Sequence, residues 1–222
     1  MQIAALLVIR RVCALKSVRI FFEKTGRLKY ISHLDLNRFL LRIIRITKLP
    51  IWYTEGYHPR PYIVIAAALS LGFESDYEAV DIRLAEDISY EEIKKRLTAV
   101  LPQGLKIIKI ASPIYKVSDI MYADYEIKGE FGNDLVTALQ SERLLVDKKG
   151  KKGKIKSVDV KQGIKDYTLQ DDTLYITLLA TNDGGINPNL LIEALEKKLN
   201  KPVEIKSVKR KMLYVKDLVK FE

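Results

Sequence analysis

Both histidines of the chain fall in two short segments, Tyr30-Ile31-Ser32-His33-Leu34-Asp35-Leu36-Asn37-Arg38 and Gly56-Tyr57-His58-Pro59-Arg60-Pro61. An imidazole titrates near neutrality, so His33 or His58 could act as the general base of a metal-independent RNA cleavage. His33 also falls at the start of an expected helix, where the positive helix end attracts a phosphate. A half-buried histidine bonded to the turn explains His33 equally well. Arg38, Arg42 and Arg45 follow at i, i+4 and i+7, which lines three guanidiniums along one helix face. No acidic residue lies between them, so phosphate contact is favoured over a merely solvated face. Trp52, the only tryptophan, with Tyr53 and Tyr57, could stack on bases or simply pack a sheet. Pro59 and Pro61 stiffen the turn that holds Tyr57, His58 and Arg60. His33, Tyr57, His58 and Arg60 are therefore expected to converge on one open concave surface. Further along, Lys148, Lys149, Lys151 and Lys152, interrupted by Gly150, read as an extended hairpin loop able to follow a phosphate backbone.

Several other groups with chemical potential have plainer explanations. Ser32 and Asp35 have the spacing of a helix capping box, which accounts for both. Asp76, Glu78 and Asp81 are close enough in sequence to suggest Mg²⁺, but on a strand Asp76 and Asp81 point to opposite faces. One cysteine, Cys13, makes an internal disulfide impossible and is read as inert. There is no Cys-x-x-x-Cys-x-x-Cys cluster motif, P-loop or Gly-x-Gly-x-x-Gly fingerprint. No metal or cofactor is expected.

The elements that must position these residues follow from periodicity. Val18 to Glu23 alternates as a strand, and Ser32 opens a helix burying Leu36, Phe39, Leu40, Ile43 and Ile44. Ile51 to Thr54 reads as a short strand. Tyr62 to Leu69 is apolar enough for a central one, and Ala79 to Leu84 alternates. Ser89 with Glu92 starts a second helix over Ile93, Leu97 and Val100, and Leu105 to Ile110 closes a βαββαβ unit. The pattern recurs more faintly in Tyr122–Lys128, a helix from Asn133 or Asp134, strands at Val158–Val160 and Leu174–Leu179 around a polar linker, a helix at 188–199 and a strand at Val203–Val208. The expected fold is α+β, with two tandem ferredoxin-like (βαββαβ) modules, each an antiparallel sheet with its helices on one face. Residues 18–117 form the first module and 118–222 the second, behind a disordered extension over 1–17.

The 222 residues carry a net charge of +10, and 48% of them are hydrophobic, ample for a buried core. Within the first 60 residues, 12 Lys and Arg face 3 Asp and Glu. Such a field suits a polyanion: RNA, DNA or an acidic protein surface. The apolar run Ile3–Ile9 is far short of the ~20 residues of a membrane helix. Arg10 and Arg11 follow it, the wrong order for a secretion signal. The expected location is the cytoplasm, with no membrane partner.

The stretch Phe22-Glu23-Lys24-Thr25-Gly26-Arg27-Leu28-Lys29-Tyr30-Ile31-Ser32-His33-Leu34-Asp35, with Leu49-Pro50, Gly56–Pro61 and Leu69-Ser70-Leu71-Gly72-Phe73-Glu74-Ser75, resembles the radical SAM-linked family of bacterial proteins. The likeness runs over residues 18–215. Members of that family are fused to, or encoded beside, cobalamin-binding-type radical SAM proteins, so the resemblance implies a radical SAM partner but no established activity. His58 departs from the family's turn, where asparagine is common. The resulting expectation is a non-catalytic RNA-binding accessory module that presents tRNA or rRNA to that partner. The alternatives are a metal-independent endoribonuclease using His33, with His58 as second candidate, and a protein-interaction adaptor.

Overall fold

A computed structural model describes residues 15–149, 155–181 and 184–222. The chain is mixed α+β, with a large, mostly antiparallel sheet and four α-helices among the described residues. The first half contributes β1 (Lys16–Lys24), α1 (His33–Ile46), β2 (Ile63–Ile65), β3 (Glu74–Leu84), α2 (Tyr90–Thr98) and β4 (Leu105–Ala111). The second contributes β5 (Tyr122–Gly129), α3 (Asn133–Gln140), β6 (Leu145–Lys149), β7 (Ile155–Asp159), β8 (Ile164–Gln170), β9 (Thr173–Leu179), α4 (Pro188–Leu199) and β10 (Ile205–Tyr214). β6 and β7 form a separate hairpin; the other strands run β4-β1-β3-β10-β5-β9-β8, with β2 also on β3. Among the described residues no helix is long and apolar enough to cross a membrane.

The expected pair of sheets is thus one sheet. The halves meet where Lys209 and Arg210 of β10 pair in parallel with Glu74 and Ser75 of β3. β2 covers the same edge only opposite Val80 to Ile82. An edge left open beyond β2 would expose unpaired N–H and C=O groups, and β10 closes it. That sharing also corrects the long strand expected over Tyr62–Leu69. The ladder stops at Ile65, and Ala66, Leu69 and Phe73 instead pack into the core of the second half. Two other boundaries differ. β1 starts at Lys16, inside the stretch read as an extension, whose residues 1–14 lie outside the described residues. The linker read before Leu174 contains β8, whose burial alternates so weakly that its sequence looks polar.

Period-two alternation divides β1 and β3 between two environments. Val18, Ile20 and Phe22 of β1, with Val80, Ile82 and Leu84 of β3, pack beneath Leu40 and Ile43 of α1 and Ile93 and Leu97 of α2. Phe21 and Ala79, from the opposite face, join the core of the second half. Ionic groups are buried at the junction. Arg210 Nη2 donates to both carboxylate oxygens of Glu78 at 2.6 and 2.7 Å, and each side chain is only 1% exposed. Arg210 also donates to the carbonyls of Ala67 and Ala68, which are available because the chain has left the ladder. Lys24, also 1% exposed, lies in the same electrostatic environment.

Candidate nucleic-acid interface

α1 begins where Ser32 takes an extended conformation and its Oγ accepts the Asp35 N–H at 3.1 Å. The reciprocal half of the expected capping box is replaced: Ser32 Oγ–H donates to Asp35 Oδ2 at 2.7 Å, a contact between the two side chains. The Ser32 bond, assisted by Arg38, holds the Asp35 carboxyl below the usual carboxylate range. His33, the first residue of α1, is exposed, and among the described residues it forms no hydrogen bond or ring contact.

Arg38, Arg42 and Arg45 all face solvent, because the opposite face of α1 carries Leu36, Leu40, Ile43 and Ile44 into the core. The stripe is not wholly free of acid: Arg38 Nη1 meets Asp35 Oδ1 at 3.3 Å, one turn back. Both partners are well exposed, so this pair is weak and exchanges readily with water or another anion. Arg42 and Arg45 have no ion-pair partner among the described residues.

The segment after α1 forms a hairpin standing off the sheet edge. Ile51 bridges to Leu84, Thr54 N–H donates to Arg60 O at 2.8 Å, Arg60 N–H to Thr54 Oγ1 at 3.1 Å, and Tyr62 N–H to Trp52 O at 3.0 Å. In place of the expected strand over Ile51–Thr54 there are isolated bridges at Ile51 and Tyr53, since the two prolines deny a continuous ladder. The tip, residues 55–60, is exposed throughout; Tyr57 reaches 94% and stacks edge-on against His58 at 4.7 Å. Tyr57, His58 and Arg60 therefore share one projecting loop. No hydrogen bond, ion pair or ring contact among the described residues ties that loop to His33.

Of the lysines singled out from the sequence, Lys148 and Lys149 end β6, and Lys151 and Lys152 lie outside the described residues. Asp76, Glu78 and Asp81 each have a cation of their own. Asp76 bonds Lys211, Glu78 bonds Arg210, and Asp81 receives Arg19 Nε and Nη2 at 2.6 and 2.7 Å. Arg19 and Lys24 are buried, so two of the 12 early cations do not contribute an accessible charge. Sequence reasoning passed over Arg83, whose guanidinium lies 4.2 Å from the Tyr62 ring centre and 5.7 Å from that of Trp52. Its only linear signal was its place on the wet face of an alternating strand.

Comparison with solved structures returns a chain of a Cbf5-Nop10-Gar1 complex, with 9% identity and a TM-score of 0.48, over 90% of this chain and 50% of that one. The protein thus spans about half the length of that chain. An unknown protein from Galdieria sulphuraria aligns over 88% of this chain and 98% of its own, at 12% identity and a TM-score of 0.27. No curated protein matches. Residues 17–188, well over half of the chain and including α1 and the hairpin, match the family described as an uncharacterized protein conserved in bacteria (DUF2344), and the chain belongs to that family.

Proposed function

We propose that the protein is a non-catalytic RNA-binding module acting beside a radical SAM protein in the cytoplasm, presenting tRNA or rRNA for modification. The observation carrying the RNA reading is the solvent-facing row Arg38, Arg42 and Arg45 on α1, opposed among the described residues only by the exposed Asp35. Three guanidiniums at helical spacing suit successive phosphates of a nucleic-acid backbone. The exposed Tyr57 on the neighbouring hairpin supports a role with unpaired bases, which stack on such rings. The radical SAM partner rests on sequence resemblance. In finer terms, the fold is read as two tandem ferredoxin-like modules. The order β4-β1-β3-β2 in the first half recurs as β10-β5-β9-β8 in the second, with β6–β7 inserted.

The endoribonuclease reading asks for a second group beside His33 to take or return a proton. His33 makes no hydrogen bond or ion pair with a second titratable group among the described residues, which favours binding over cleavage. The test is filter binding of bulk tRNA and rRNA fragments across a salt series. Arg38→Gln/Arg42→Gln/Arg45→Gln is expected to weaken binding and flatten the log–log salt slope by roughly 0.7–0.9 per lost contact. Unchanged affinity and slope would refute the interface. Defined, EDTA-resistant cleavage that disappears in His33→Ala would replace the binding reading with the enzyme. Tight capture of an acidic protein with no RNA affinity would favour the adaptor.

A further inference from the structure

The face of β1 and β3 turned away from α1 and α2 contains a cavity of about 330 Å³. Its floor is formed by Arg19, Asp81 and Arg83, with Tyr62 on one side and the connection from Pro113 to Val117 on the other. This is the size of a small-molecule site, and its lining mixes apolar side chains with the charged Arg19, Asp81, Arg83 and Lys116, more polar than a typical small-molecule pocket.

The charges in it separate into those already engaged and those available. Arg19 donates to both oxygens of Asp81, to Tyr115 O at 2.9 Å and to Glu222 O at 3.0 Å. Arg19 and Asp81 thereby neutralise each other and pin the walls in place. Arg83 and Lys116 have no ion-pair partner among the described residues. The Arg83 guanidinium lies over the Tyr62 ring, and its N–H groups make no hydrogen bond among the described residues, so they are available to a forked acceptor. Lys116 is exposed on the opposing wall. The same wall presents the apolar side chain of Ile114, 68% exposed.

We infer that this pocket binds a phosphate monoester carried on an apolar or aromatic body, with a nucleoside monophosphate as the fitting class. Two available cations match a dianion better than a single carboxylate, and Ile114 and Tyr62 offer surface to the body. The pocket is on the opposite face of the sheet from α1, so it does not rest on the RNA reading.

Equilibrium dialysis of the full chain with AMP, UMP, adenosine and inorganic phosphate tests it. Trp52 fluorescence locates the event, since the sole tryptophan is 5.7 Å from Arg83 and 6.0 Å from Tyr62. Both nucleotides are expected to bind and to change Trp52 emission, with adenosine and inorganic phosphate weaker by roughly tenfold or more. Lys116→Gln, on an exposed side chain, is expected to weaken AMP about tenfold, and Arg83→Gln by at least as much. Several results would overturn the site: no nucleotide binding at about 5 mM, adenosine or phosphate binding as tightly as AMP, binding without a Trp52 change, or full affinity in a folded Lys116→Gln protein.

Discussion

Glu78→Gln should be among the most damaging single substitutions in this chain. Glu78 is the carboxylate that meets Arg210 at the junction of the two halves, and both are 1% exposed. Removing one member of a buried pair leaves an uncompensated charge and costs about 3–5 kcal/mol. Against the ~5–15 kcal/mol that holds a typical protein folded, that is roughly a fifth at the least and most of the stability at the worst. Lys24 aggravates the loss. Burial already pushes its ammonium below the ordinary 10.5, Arg210 adds to that push, and Glu78 opposes it. Without Glu78 two buried cations face each other. The sign with pH follows: the folded state holds the Lys24 proton less tightly than the unfolded chain. Glu78→Gln should therefore gain stability as pH rises from the depressed folded pKa towards 10.5. Replacing both partners by apolar groups, Glu78→Leu with Arg210→Met, should cost less than the sum of the single changes, by about 2 kcal/mol or more of coupling. Urea unfolding followed by circular dichroism, on wild type, both singles and the double at several pH values, measures all of this. A Glu78→Gln loss below about 1 kcal/mol, or additive singles, would show that the pair is hydrated and the argument wrong.

Other substitutions test separate parts of the fold. Phe221→Ala should destabilise by about 3–5 kcal/mol in urea unfolding, since the fully buried ring packs against the Arg19 guanidinium at 4.0 Å. Ser32→Ala should cost about 1 kcal/mol through the lost cap of α1. It should also weaken the acid-limb dependence due to Asp35, whose stabilisation is present above its unfolded value and fades as pH falls through the depressed folded one. Gly104→Ala should be disfavoured by about 1–3 kcal/mol, because φ is +97° and an added Cβ would meet the Thr25 carbonyl oxygen at 2.5 Å. Burial pushes the Tyr77 hydroxyl up to about 12, with Glu222 adding to the effect. An ultraviolet pH titration should thus show it ionising well after the exposed tyrosines, with stability falling as pH rises from about 10 towards about 12.

Local chemistry was legible in the chain itself. Ser32 and Ser89 cap helices at the positions their spacing implies, and Asn187-Pro188 opens α4. The exposure of Arg38, Arg42 and Arg45 follows from helical periodicity once Leu36, Leu40 and Ile43 are assigned to the core. Periodicity reports only which face of an element is wet. It says nothing of which edge meets which edge, so the parallel β3–β10 pairing and the early end of β2 were invisible, as was the burial of Arg19, Lys24 and Arg210. Their charges look like surface basicity in a linear count, and tertiary contacts turn them inward, such as Arg210 with Glu78, 132 residues away, and Arg19 with Asp81, 62 away. The cavity over Arg83 has the same origin. Tyr62, Arg83 and Lys116 are far apart in sequence, and they meet because strand pairing and the 113–117 connection carry them to one face of the sheet.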